Sequence, residues 1–119
     1  MRGSSMQNPD AVRLRHMQEA VTLALNMAAG RSRSDLASDS MLAMALTRCL
    51  EVLGEAASKL SSEVRLRFPN VPCAKMISMR NRLIHAYFDV DLDIVWTTVS
   101  EDLPSLLPVL GSVLAQIDR

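Results

Sequence analysis

Aliphatic residues recurring at steps of three and four constrain this chain more than any other feature. Leu14, Met17, Val21, Ala24, Leu25 and Ala28 follow that rhythm, as do Met41, Met44, Ala45, Cys49, Val52, Leu53, Ala56 and Leu60. Leu106, Leu107, Leu110, Val113, Leu114 and Ile117 repeat it near the C-terminus. A helix turns about 100° per residue, so such positions gather on one side of it. No stretch reads convincingly as a strand, and there is no internal repeat. The chain is expected to be all-α.

Punctuation residues divide it. Asn8-Pro9 places a cap before a proline at the first helical position, and Gly30 supplies a left-handed stop, so the first helix is expected over about 9–29. The serine-rich "RSRSDLASDS" reads as a connector with one short turn at 34–38, and Asp39 or Ser40 as the cap of a second helix over about 41–61. Gly54 lies in the middle of that helix, where it costs about 1 kcal/mol relative to alanine. Such a glycine points to a close backbone approach. After one or two turns in "SSEVRLRFPNVP" and a turn at Phe68-Pro69-Asn70, a third helix is expected over about 72–87, with Ala74, Ile77, Leu83 and Ile84 as its apolar side. Asp89 or Asp91 caps a fourth near Leu92, which Pro104 must kink or interrupt before a last stretch over about 104–117. Four principal amphipathic helices with short connectors make an antiparallel bundle. Apolar residues spill beyond one stripe on the second and fourth helices, which suggests a second buried face and hence a homodimer.

The chain has 119 residues, the size of one domain, expected over 9–118, with 1–8 as a disordered N-terminus or tag remnant. Its aromatic residues are Phe68, Tyr87, Phe88 and Trp96, so the core must be aliphatic, with eight methionines to fill irregular gaps. Cys49 and Cys73 lack metal or redox spacing and read as small buried thiols. No apolar run approaches the roughly 20 residues that span a bilayer, so a cytoplasmic protein is expected. Thirteen basic and thirteen acidic residues cancel, which argues against coating nucleic acid by bulk attraction. The charge is nevertheless segregated. Residues 63–82 carry Arg65, Arg67, Lys75, Arg80 and Arg82 against Glu63, and residues 89–102 carry Asp89, Asp91, Asp93, Glu101 and Asp102.

Starting in the basic stretch, "MRNRLIHAYFDVD" concentrates groups suited to phosphate chemistry. Cleaving RNA requires that a ribose 2′-hydroxyl lose a proton as it attacks the adjacent phosphate, that the leaving oxygen gain one, and that charge on the phosphate be stabilised. His85 titrates near neutrality and can shuttle the proton. Arg80 can hold the phosphate by two parallel hydrogen bonds. Asn81 can orient either group, Arg82 adds charge, and Tyr87 offers a hydroxyl and a stacking face. Tyr87 returns to nearly the face of Arg80 two turns on, whereas His85 points about 140° away. Bringing Arg80 and His85 together therefore takes a loosened helix end or a second subunit. The same residues have a plainer reading: solvated arginines, a histidine at a helix C-terminus and a core tyrosine.

Other candidates are weaker. His16 lies on the polar side of the first helix beside Arg13 and Arg15. Asp89, Asp91 and Asp93 lack the glycine and final glutamate of a calcium loop, so capping and a solvated face are the better reading, and neither metal nor cofactor is expected. Glu51 and Glu55, one turn apart with Arg48 one turn earlier, form an ion-pair ladder or support His85 or Arg80 from behind.

"RNRLIHAY" fits an Arg-x4-His-x-Tyr pattern, and with "RCLEVLGEAA" upstream and "DVDLDIVWTTVSEDLP" downstream the chain resembles the HepT family of HEPN-domain ribonuclease toxins over residues 10–117. The resemblance implies a homodimeric HEPN bundle with short extra helices. It implies a metal-independent endoribonuclease acting on mRNA or tRNA, with Arg80 and His85 as the catalytic pair at the dimer cleft. Such toxins form type VII toxin–antitoxin modules with MntA, a nucleotidyltransferase antitoxin, sometimes as a larger hetero-oligomer. MntA adds AMP to the motif tyrosine, here Tyr87, which would place bulk and anionic phosphate beside Arg80. Ala86 and Asp89 stand where the family favours glycine, and Met44 and Cys49 where relatives often carry Asp and Asn. The alternative implied by those departures is a non-catalytic bundle that binds the nucleotidyltransferase.

Overall fold

The structure, a computed structural model, describes residues 8–83 and 90–117. Among them are α1 (Pro9–Ala28), α2 (Arg33–Ser38), α3 (Ser40–Ser58), α4 (Ser62–Arg67), α5 (Cys73–Leu83), α6 (Leu92–Thr97) and α7 (Leu103–Ile117), and no strand. One wide π-helical turn, Thr98–Asp102, joins α6 to α7.

Local chemistry sets most boundaries. The Asn8 side chain accepts from the backbone N–H of Asp10 at 2.9 Å and of Ala11 at 3.4 Å, capping α1 as expected. Gly30 follows the helix at φ +74°, a conformation that costs glycine little and other residues more. Asp35 accepts from Ser32 N–H at 2.7 Å at the start of α2, and Asp39 accepts from Leu42 N–H at 3.1 Å at the start of α3. These backbone donors, helped by Arg31, hold both carboxyls below their usual range. At the far end of α3, Arg65 donates to the carbonyls of Ala57, Ser58 and Leu60, the orphan acceptors of a helix C-terminus. Asp10 accepts from both N–H and Oγ–H of Ser61, tying the start of α1 to the α3–α4 corner.

The expected bundle is present. α1 packs against α3 and α7, and α3 also packs against α5. Between them lies one aliphatic core that includes Leu14, Met17, Leu46, Leu50, Leu53, Met76, Met79 and Leu110. Cys49 and Cys73 are buried free thiols, and burial pushes both thiols up. Asp91, rather than Asp89, is the observed cap of α6, accepting from Asp93 and Ile94 N–H. No described helix is long and apolar enough to cross a membrane.

Two expectations change. The buried side of α5 is Cys73, Met76, Met79 and Leu83, while Ile77 is half-buried and Ala74 exposed. The buried set recurs at steps of three and four residues, and Ala74 lies on another side of the helix, turned about 100° from Cys73. The expected end of this helix, including Ile84, lies outside the described residues. The interruption near Pro104 takes the form of the wide turn, in which Leu103 N–H reaches back to Thr98 O. Pro104 has no N–H for an ordinary helical bond, so the register slips just before it.

Candidate active site

The site is built where the last turn of α5 crosses α3. The Gly54 position brings the two backbones close. A Cβ added there would lie 2.5 Å from Arg80 Cβ and 3.1 Å from its Cγ and Cδ. The close approach anticipated from the sequence thus has Arg80 as its partner. With its stem against Gly54, Arg80 places Nη1 2.5 Å from Oε1 of Glu55. Its Nη2 donates to Asn81 Oδ1 at 3.3 Å.

An open cleft of about 610 Å³ lies over this pair, lined by Arg48, Glu51, Glu55, Arg80 and Asn81. Arg48 meets Glu51 at 3.5 Å, and Lys59 meets the second oxygen of Glu55 at 3.5 Å. Of the ladder read from the sequence, the Arg48–Glu51 pair is present, while Glu55 pairs with Lys59 and Arg80. The Arg80 side chain is 24% exposed and that of Glu55 54% exposed. A pair so open to water contributes little to stability, on the order of 0–1 kcal/mol. Its main consequence is orientation: among the described residues, Glu55 and Asn81 hold the guanidinium by Nη1 and Nη2 and so set the direction of its tip.

Of the residues singled out, Arg80, Asn81, Glu51 and Glu55 come together. Arg82, two positions further round the helix, lines a neighbouring cleft of about 560 Å³ with Asn81, Asp91 and Ile94. His85 and Tyr87 lie outside the described residues. His16 is exposed, as expected for the polar side of α1, but it shares a groove with Arg13, Arg48 and Lys59 that adjoins the Arg80 cleft through Arg48 and Glu55. Sequence reasoning did not connect these cations. Their only signal was a basic pair on α1, and the sequence does not say which helix will face it.

One face of α3 leads into the cleft. Met41, Met44, Arg48, Glu51 and Glu55 recur at helical spacing, with Met41 81% and Met44 72% exposed. Leu23 on α1 is also exposed. The excess apolar surface expected on this helix is thus present, at solvent in the single chain.

Comparison with known proteins identifies the family. The family described as Ribonuclease HepT-like matches residues 17–113, which include the whole α3–α5 seam. A probable ribonuclease HepT of Thermococcus cleftensis is 42% identical over 72 residues, 60% of this chain and 66% of that protein, so the match spans just under two thirds of its length. A candidate RNase of Caldanaerobacter subterraneus subsp. tengcongensis is 34% identical over 101 residues, covering 85% of this chain and 90% of its own. A candidate RNase of Methanocaldococcus jannaschii is 30% identical over 105 residues, covering 88% and 84%. No solved structure matches. With its all-α bundle and an arginine held at the rim of an open cleft, the chain belongs to the HepT-like ribonuclease family.

Proposed function

We propose that the protein is a metal-independent endoribonuclease toxin of a type VII toxin–antitoxin module, that it cuts mRNA or tRNA with Arg80 and His85, and that an MntA-like nucleotidyltransferase silences it by adding AMP to Tyr87. The observation that carries the reading is Arg80. In a chain of ribonuclease family, the arginine of the Arg-x4-His motif stands at an open cleft, its stem seated on Gly54 and its tip turned by Glu55.

The chemistry follows from the two groups. His85 takes the proton of the 2′-hydroxyl as that oxygen attacks phosphorus. The bond from phosphorus to the 5′-oxygen breaks, that oxygen is protonated, and the products carry a 2′,3′-cyclic phosphate and a 5′-hydroxyl. Arg80 stabilises the charge gathering on the phosphate oxygens, an interaction worth about 10²–10³-fold in rate where single donors of this kind have been removed. His85 is five residues from Arg80, so a homodimer that offers two motifs to one cleft satisfies the geometry. The exposed Met41 and Met44, on the face of α3 that leads into the cleft, support a partner copy on that face.

The test is cleavage of a defined RNA by purified protein in EDTA. The expected result is a 2′,3′-cyclic phosphate end and loss of cleavage in Arg80→Ala and His85→Ala. Cleavage that survives both substitutions overturns the assignment. Co-expression with the neighbouring nucleotidyltransferase is expected to add mass in multiples of AMP, and Tyr87→Phe to prevent it.

A further inference from the structure

We infer that Gly54 and Glu55 are positioning residues for Arg80: Gly54 admits the arginine's stem, and Glu55 fixes the direction of its guanidinium. The inference rests on the reading of Arg80 as the group that binds the reacting phosphate.

The geometry is restrictive at both ends of the side chain. A methyl group on Gly54 would overlap Arg80 Cβ at 2.5 Å, well inside van der Waals contact. That atom is fixed to the α5 backbone and cannot rotate away, as a side-chain tip could. Relief requires α5 to shift relative to α3, and the arginine moves with it. At the other end Glu55, one residue along α3, accepts from Nη1, and Asn81 accepts from Nη2 at 3.3 Å. The same turn of α3 therefore sets where the side chain leaves α5 and where it points. Because Glu55 also meets Lys59 at 3.5 Å, the carboxylate is itself held along α3 rather than free to swing into the cleft.

Gly111 provides the internal control. It too lies within a long helix, but a Cβ there would meet only Gln18 Nε2 at 3.8 Å, ordinary contact. Nothing near Gly111 belongs to the Arg80 cleft.

The experiment compares Gly54→Ala, Glu55→Ala, Glu55→Gln and Gly111→Ala in the full chain, with kcat and KM measured separately on one RNA well below the lowest melting temperature. Misplacing a reacting group by about 1 Å can cost on the order of 100-fold, so Gly54→Ala is expected to lower kcat at least about ten-fold with KM changed less than about two-fold. Glu55→Ala is expected to do the same, and Glu55→Gln to retain most of the rate because its amide oxygen still accepts from Arg80. Gly111→Ala is expected to keep wild-type kcat. If Gly54→Ala does not fold, the two Glu55 variants carry the comparison. Rates within about two-fold of wild type in both Gly54→Ala and Glu55→Ala, with Arg80→Ala inactive, overturn the inference and leave the ribonuclease reading standing. A wild type that cuts no RNA overturns that reading instead. The positioning is then decided by the Nη–Hη resonances of Arg80, expected to be separate and slow to exchange in wild type and merged in Gly54→Ala and Glu55→Ala. Unchanged resonances in both reject it.

Discussion

Gly54 and Gly111 occupy the same kind of place, the interior of a long amphipathic helix, yet only one of them is crowded. At the α3–α5 seam a neighbouring arginine fills the space a side chain would need, whereas at the α1–α7 seam Gln18 stops short of it. Each glycine gives up helix propensity, about 1 kcal/mol relative to alanine. At Gly54 that loss lets α5 approach closely enough to seat Arg80 beside Glu55. At Gly111 nothing in the structure explains it. The comparison teaches that a mid-helix glycine indicates function only when the group pressed against it is identified.

The comparison can be broken or sharpened at several points. The largest effect is expected from Arg80→Ala, which removes the proposed phosphate ligand. RNA cleavage should fall by about 10²–10³-fold, or 2.7–4 kcal/mol, while losing the ion pair itself changes stability by no more than about 1 kcal/mol because Glu55 is half exposed. A melting curve beside the rate assay checks both, and a large loss of stability would make Arg80 a structural residue. Next is Gly54→Ala, expected to destabilise the fold by about 1–3 kcal/mol through overpacking even though alanine is the better helix former. Denaturant titration measures it, and a gain in stability would remove the close approach from the account. Gly111→Ala is expected to stabilise by about 0.5–1 kcal/mol, the propensity gain with no clash to oppose it. The smallest effect concerns the α2–α3 corner, remote from either seam. Asp39 accepts from Leu42 N–H and pairs with Arg31 at 2.9 Å, so its folded carboxyl ionises below its ordinary range. A lowered folded value means this stabilisation is complete above the unfolded pKa and is lost as pH falls through the ordinary value toward the folded one. Asp39→Asn should therefore narrow the stability gap between neutral and acid pH, read as the difference in melting temperature across that window.

Much of the architecture was legible from local signals. Asn8, Asp39, Ser61 and Asp91 cap the helices they precede, because a cap is a bond between residues two or three apart. The buried faces of α1 and α7 followed the apolar period closely. On α5 that reading misled: Ala74 and Ile77 look as apolar as Met76 and Met79, and which side of the helix faces the core is set by its packing against α3. Within the site, Gly54 stood out as a close approach and Glu55 as a support for Arg80 or His85. The sequence did not identify Arg80 as the residue against that glycine, because the two are far apart in the chain. Arg82 was grouped with Arg80 by proximity in sequence, and the helix turn sends it to the neighbouring cleft.

The sequence by itself determined where most helices begin, that the core is aliphatic, and that the chain carries an Arg-x4-His-x-Tyr pattern. These depend on hydrogen bonds and side-chain volumes within a turn or two, or on residue identity alone. The tertiary structure alone decided that α5 meets α3 at Gly54, so that Arg80 reaches Glu55 and opens on a shared cleft with Arg48 and Glu51. The physical reason is that helical period sets the direction in which a side chain leaves its own axis, while the distance and register between two axes come from how their surfaces interlock.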